Sequence, residues 1–90
     1  MAVPVHQTAG SYQIAYSANG APTAGNTPTI ALSVNGGSTL STVVNTGGAW
    51  PTTPVAGPTV TLNAGLNTIR LQPAANGAGW ALNWFTLTRR

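Results

Sequence analysis

The sequence predicts an all-β protein, an antiparallel β-sandwich of about seven strands, and three observations support this. Gly and Pro recur at short intervals, with 11 and 7 copies in 90 residues, and no segment keeps the apolar period of a helix. Thr and Val, which strands prefer, are abundant. Several short segments alternate polar and apolar residues, so each strand would bury one face and two sheets would pack together.

The strand pattern occurs in seven segments. In the second, Tyr12, Ile14 and Tyr16 alternate with polar or small residues and are predicted to face the core. Asn35 and Gly36 form a strong hairpin signal between the third and fourth segments. The predicted strands are 2–6, 11–17, 29–34, 39–44, 58–62, 67–72 and 80–88, and the predicted long loops are 18–28, 45–57 and 73–79.

The last predicted strand carries large side chains on both of its faces. Trp84 and Phe85 are adjacent in the sequence, so they point to opposite sides of the sheet. Phe85, together with Leu87, is predicted to face the core. Trp84 is predicted to cover the outer face or to form a subunit contact. Arg70, in the strand before it, is predicted to point to solvent.

The chain has few charged side chains, and its lack of acidic residues argues against most kinds of catalysis. The chain has three basic residues, all arginines, and no Asp or Glu. Glycosidases need paired carboxylates, a Ser-His-Asp triad needs its acid, and a calcium site needs carboxylate ligands. His6 is a lone histidine, which forms neither a triad nor a zinc site. We therefore expect no enzyme, no metal site and no cofactor.

The distribution of charged and apolar residues also indicates which partners to expect and how many domains. The formal net charge is +3, yet Arg89 and Arg90 end the chain, whereas a nucleic-acid-binding face spreads basic residues along a groove. No apolar run approaches the roughly 18 residues of a membrane-spanning helix, and no segment resembles a signal peptide. We expect one domain, residues 1–90, with neither a nucleic-acid nor a membrane partner.

Five motifs occur in the order AGSYQIAYSANG, LSVNGG, NTGGAWPTTP, TLNAGLNTIRLQ and GWALNWFTLT. This order resembles family 6 carbohydrate-binding modules and their family 35 relatives, over residues 3–88. The resemblance implies a jelly-roll sandwich, secreted from the cell, that binds polysaccharide or glycan without catalysis. The chain resembles roughly the C-terminal two-thirds of such a module, given typical domain sizes. Strands missing from the N-terminus would leave sheet edges exposed, so we expect a homo-oligomer that covers them.

The resemblance and the residue types indicate four ligand-binding candidates, Trp50, Trp80, Asn76 and Tyr16. Trp50 lies in a loop rich in Gly and Pro, where its ring could stack on a pyranose or could instead plug the end of the sandwich. Trp80 begins the last strand and also suits packing at the rim. Tyr16 lies on the core face of its strand, but that strand ends shortly afterwards at a predicted loop. Asn76 also suits a turn.

Two positions depart from the family's pattern. Ala81 stands where the family has an Asn that bonds the sugar, although Asn76 could replace that contact. Asn83 stands where the family has an acidic residue associated with calcium, so calcium is not expected. The alternative function is therefore an engineered or truncated self-assembling scaffold with no remaining sugar binding. Thr-x-Thr pairs in two strands suggest ice binding as a third class, but they follow no regular period.

Overall fold

The computed structural model describes residues 1–22, 25–74 and 79–90, which form two antiparallel sheets packed as a small β-sandwich. The predicted fold class is confirmed, and so is the number of strands along these residues. No helix among them is long and apolar enough to span a membrane. The strands are β1 Ala2–Gln7, β2 Gly10–Asn19, β3 Thr29–Val34, β4 Leu40–Val43, β5 Val55–Leu62, β6 Gly65–Pro73 and β7 Ala81–Arg89.

The order of the strands is that of a jelly roll. One sheet has the order β1-β6-β3-β4 and the other has the order β5-β2-β7. Only β3 and β4 are consecutive in the chain and also neighbours in a sheet, so every other connection crosses from one sheet to the other. Crossing of this kind between two antiparallel sheets is typical of a jelly roll.

The core lies between the sheets and is built from alternate residues of the strands. Tyr12, Ile14 and Tyr16 of β2 are at most 4% exposed, as the alternation predicts. Phe85 and Leu87 are partly buried and pack against this core, which confirms their predicted orientation. Burial of each large apolar side chain contributes about 1.5–3 kcal/mol. Other buried members of the core are Ile30, Leu32, Val60, Leu62, Ile69 and Leu71.

β5 begins earlier than the sequence predicts, at Val55 instead of Pro58. A proline inside a strand is tolerated at the edge of a sheet, and β5 is an edge strand. The register between β5 and β2 shifts once, between Gln13 and Ala15. Gly57 lies at this shift, and a Cβ on it would lie 2.7 Å from core side-chain atoms. The predicted loop 45–57 is therefore shorter in the structure.

The predicted hairpin between β3 and β4 is confirmed at its two turn residues. Asn35 has φ 51° and Gly36 has φ 76°, and two successive positive φ angles are what such tight turns require. The side chain of Asn35 also contributes to the fold. Its Oδ1 atom accepts a hydrogen bond from the backbone N–H of Thr68 at 2.8 Å, which links this turn to β6.

A buried amide, Asn67, organises the same end of the sandwich. Its side chain is 1% exposed. Its Oδ1 accepts from the Asn63 N–H at 2.9 Å and from Asn35 Nδ2 at 3.0 Å. Its Nδ2 donates to the carbonyl oxygens of Asn63 at 2.9 Å and Gly65 at 3.1 Å. Both polar atoms of this amide therefore have two partners each, so its burial carries no unpaired donor or acceptor.

Candidate functional site

Three long connections meet at one end of the sandwich. Asn19, the last residue of β2, pairs with Ala81, the first residue of β7. Thr29, the first residue of β3, pairs with Val43, the last residue of β4. The connections between β2 and β3, β4 and β5, and β6 and β7 therefore leave the sheets on the same side. We call this region the loop end, and its described residues are 20–22, 25–28, 44–54, 74 and 79–80.

Gly20 joins two of these connections. Its carbonyl accepts from the N–H groups of Thr46 at 3.0 Å and Gly48 at 3.3 Å, and its own N–H donates to Thr46 Oγ1 at 3.1 Å. A Cβ at this position would lie 2.7 Å from the Pro28 Cβ in the same connection and 3.0 Å from the Val44 carbonyl oxygen in the next one, so the close packing here requires glycine. These hydrogen bonds anchor the chain shortly before Trp50.

Trp50 is the most exposed aromatic residue of the loop end. It is 51% exposed, so about half of its surface is open to solvent. Pro28 and Val44 are fully buried at this end of the sandwich, whereas the Trp50 side chain is exposed. An exposed indole on an anchored loop is suited to stacking against the apolar face of a ligand.

Trp80 has a different environment. It is half-buried and packs against the core. Its Nε1 donates to the Thr29 carbonyl at 3.1 Å, and the Ala74 N–H donates to the same oxygen at 3.0 Å. Thr29 thereby holds both ends of the third connection. The polar atom of Trp80 is engaged within the fold, so only part of its ring could border a ligand.

Tyr16 is a core residue, and the predicted ligand contact is corrected accordingly. Its side chain is 0% exposed because it shares the inner face of β2 with Tyr12 and Ile14. Its hydroxyl has no hydrogen-bond partner among the described residues. Burial raises the pKa of this hydroxyl, since the phenolate would be poorly solvated between the sheets.

We expect Tyr16→Phe to raise the free energy of unfolding by about 1 kcal/mol, because it removes a buried, unpaired hydroxyl. The pKa of the Tyr16 hydroxyl is higher in the folded state than its unfolded value of about 10, so its contribution to stability is fully present below about pH 10. Above that pH the free energy of unfolding falls by about 1.4 kcal/mol per pH unit. Tyr16→Phe should reduce this alkaline loss. Urea unfolding at about pH 8 and about pH 11 measures both effects.

Tyr12→Phe is the matched control, since it removes the same atom from the same strand face. The Tyr12 hydroxyl donates to the Thr8 carbonyl, so this change should lower stability at about pH 8, by about 1 kcal/mol. Equal destabilisation of the two variants at that pH would contradict the burial of an unpaired Tyr16 hydroxyl.

The polar candidates lie at the start of β7 and in the connection before it. Asn76 lies outside the described residues. Ala81 and Asn83 are both exposed. Directly across the ladder from Ala81 lies Asn19, a half-buried residue at the edge of the loop end. Asn19 is not among the four predicted ligand contacts, although it is the last residue of β2 and follows the alternating pattern of that strand.

The described residues of the loop end form no cavity. No protein-family model matches the chain, and a comparison with curated proteins finds no match. The candidate site is defined by three residues of this end, with Trp50 as the exposed ring, Asn19 as the amide at the end of β2 and the half-buried Trp80 before β7.

Proposed function

We propose that the chain is a non-catalytic carbohydrate-binding module of the family 6 and 35 type, which acts outside the cell and holds polysaccharide or glycan at the loop end. One observation carries the proposal. Trp50 is 51% exposed on a connection that is hydrogen-bonded to Gly20. The C–H groups of a pyranose stack favourably on such an indole face. Because the loop is already anchored, little conformational entropy is lost on binding.

The polar part of the proposed site is a neutral amide. Asn19 precedes Gly20, whose carbonyl accepts a hydrogen bond from the Gly48 N–H in the loop of Trp50, so the backbones that carry the amide and the indole are joined. An amide both donates and accepts hydrogen bonds, as sugar hydroxyls require. Asn19 is thus our candidate for the polar contact that Ala81 lacks.

The charge of the site also favours a neutral ligand. The described residues of the loop end include no charged side chain. Stacking and amide hydrogen bonds between neutral groups are not screened by salt, whereas attraction between a basic protein and an acidic polymer is. Retention on a neutral polysaccharide should therefore persist at high ionic strength.

A second function, a self-assembling scaffold without sugar binding, is favoured by two observations. Ala81 offers no polar group where the resembled family has an amide, and the described loop end contains no cavity. In this alternative the exposed indole of Trp50 binds no glycan. The two functions make opposite predictions for the behaviour of the protein on polysaccharides.

Affinity electrophoresis separates the two functions. The protein is run through native gels that contain xylan, β-glucan or agarose, and its mobility is compared with that in a gel without polysaccharide. Retardation by a neutral polysaccharide that persists at high salt is the result we expect. Retardation that disappears at high salt, or mobility that no polysaccharide changes, contradicts glycan binding at the loop end.

A further inference from the structure

The open edge of β7 belongs to the longest edge strand among the described residues, and this strand contains no proline. Edge strands usually carry prolines, bulges or charges, or are short, because an unpaired edge attracts other strands. β1 contains Pro4, β5 contains Pro58 and a register shift, and β4 has 4 residues. β7 has 9 residues without Pro or Gly, its one charged residue is the last, and its one register shift with β2 lies at Asn83, so Trp84–Arg89 form a regular stretch. Among the described residues, β2 is its only partner strand.

The backbone of β7 presents hydrogen-bonding groups to this edge. The Arg90 N–H donates to the Ser11 carbonyl of β2 at 2.9 Å. In an antiparallel ladder such pairs alternate, so every second residue back along β7 from Arg90 also bonds to β2 in this register. The N–H and C=O groups of Phe85, Leu87 and Arg89 therefore point away from β2, toward the open edge.

The side chains beside this edge are partly apolar on both faces. Phe85 and Leu87 lie on the inner face and are only half-buried. Trp84 lies on the outer face and is 45% exposed, with Thr86 and Thr88 farther along the same face. A strand added at this edge would cover apolar surface of the core and of Trp84 in addition to pairing the backbone.

We propose that β7 pairs antiparallel with β7 of a second copy of this chain, across a twofold axis that passes beside Thr86. The two three-stranded sheets then form one continuous sheet. A twofold interface requires a surface that complements itself. The sequence of β7 meets this requirement in one register.

In the register centred on Thr86, each inner side chain meets an apolar partner. Phe85 lies opposite Leu87 of the partner subunit, and these are hydrogen-bonded pairs because both residues point their backbone groups to the edge. On the outer face, Trp84 lies opposite Thr88 of the partner subunit. Cross-strand pairs of aromatic with aliphatic or Thr side chains are favourable. The core of each sandwich therefore continues across the axis.

The neighbouring registers are poorer. A centre at Phe85 sets Leu87 opposite the amide of Asn83, and a centre at Leu87 sets the Arg89 cation opposite Phe85. With the centre at Thr86, the Arg89 cation lies beside the neutral Asn83 of the partner subunit, at the register shift of that strand. The basic residues of the two copies are then at opposite ends of the shared ladder, where solvent screens their repulsion.

Thr86→Lys tests the interface by placing two like charges directly opposite each other on the axis. The side chain is exposed on the outer face, so the fold should be retained. Sedimentation equilibrium should show a dimer for the wild type and a dissociation constant raised at least tenfold for Thr86→Lys. Thr59→Lys, on the outer face of β5, adds the same charge and should dimerise like the wild type.

A cysteine scan tests the register. The chain has no cysteine, so Thr86→Cys adds a single thiol at a non-hydrogen-bonded pair, where Cα atoms lie about 4.5 Å apart, within disulfide range. Under mild oxidation Thr86→Cys should form a covalent dimer much faster than Thr88→Cys, whose thiol faces Trp84 of the partner subunit. A wild type that sediments as a monomer at its highest soluble concentration overturns the proposal. Equal cross-linking of the two variants, or weakening by Thr59→Lys that matches Thr86→Lys, overturns it as well.

Discussion

Asn67→Ala should lower the free energy of unfolding by about 3 kcal/mol, the largest effect on stability that we expect. The side chain is 1% exposed and makes four hydrogen bonds. Its removal leaves the N–H and C=O of Asn63 and the C=O of Gly65 without these partners. Each unpaired buried group costs about 1–3 kcal/mol, and the partial exposure of the turn offsets part of the sum.

Thermal unfolding measures this loss directly. For a domain of this size each kcal/mol corresponds to about 4–8 °C in Tm, so the variant should melt well below the wild type. Asn63→Ala is the matched control, since the exposed side chain of Asn63 lies in the same turn, and its truncation should change stability by less than about 0.5 kcal/mol. Similar melting temperatures for the two variants would show that the buried amide does not hold this end of the sandwich.

Trp50→Ala should weaken retention on polysaccharide by at least tenfold. Truncation of a central Trp in a binding site typically costs about 2 kcal/mol or more, and tenfold in affinity corresponds to about 1.4 kcal/mol. Trp50 is 51% exposed and lies outside the apolar core, so its removal should leave the free energy of unfolding within about 0.5 kcal/mol of the wild type. Loss of retention without loss of stability is the pattern that distinguishes a ligand contact from a packing residue.

Alternation along the strands was sufficient to predict much of the fold. In β2, the apolar face of Tyr12, Ile14 and Tyr16 follows directly from a two-residue period, and the same rule predicts the orientations of Trp84 and Phe85. Boundaries were less predictable where a proline belongs to a strand, as at Pro58, because an edge strand does not need that N–H for its ladder.

The site was less predictable because it depends on contacts between distant segments. The hydrogen bond from Trp80 Nε1 to the Thr29 carbonyl joins residues 51 positions apart, and no local pattern indicates it. The full burial of Tyr16 also depends on the opposite sheet. Asn67, in contrast, had a signal in the sequence, since it shares an alternating face with Ile69 and Leu71, where a polar residue must be hydrogen-bonded.

The proposed glycan site at the loop end and the proposed β7 dimer are independent of each other. Together they predict how the two loop ends of a dimer are oriented. The loop end lies beside Ala81, at the start of β7, and the proposed twofold axis lies beside Thr86, near its middle. Antiparallel pairing of β7 therefore directs the two loop ends in opposite directions. Such a dimer would link two polysaccharide chains, and it would gain little avidity on one chain unless that chain could reach both ends.

Affinity electrophoresis of Trp50→Ala beside Trp84→Ala, on the polysaccharide that most retards the wild type, tests glycan binding at the loop end most directly. The two tryptophans are 51% and 45% exposed, so the variants lose similar exposed aromatic surface from different places. Mobilities are normalised to a gel without polysaccharide, which removes the effect of any change in assembly. We expect Trp50→Ala to migrate as if no polysaccharide were present and Trp84→Ala to be retarded like the wild type. Retardation of Trp50→Ala equal to that of the wild type would contradict sugar binding at the loop end.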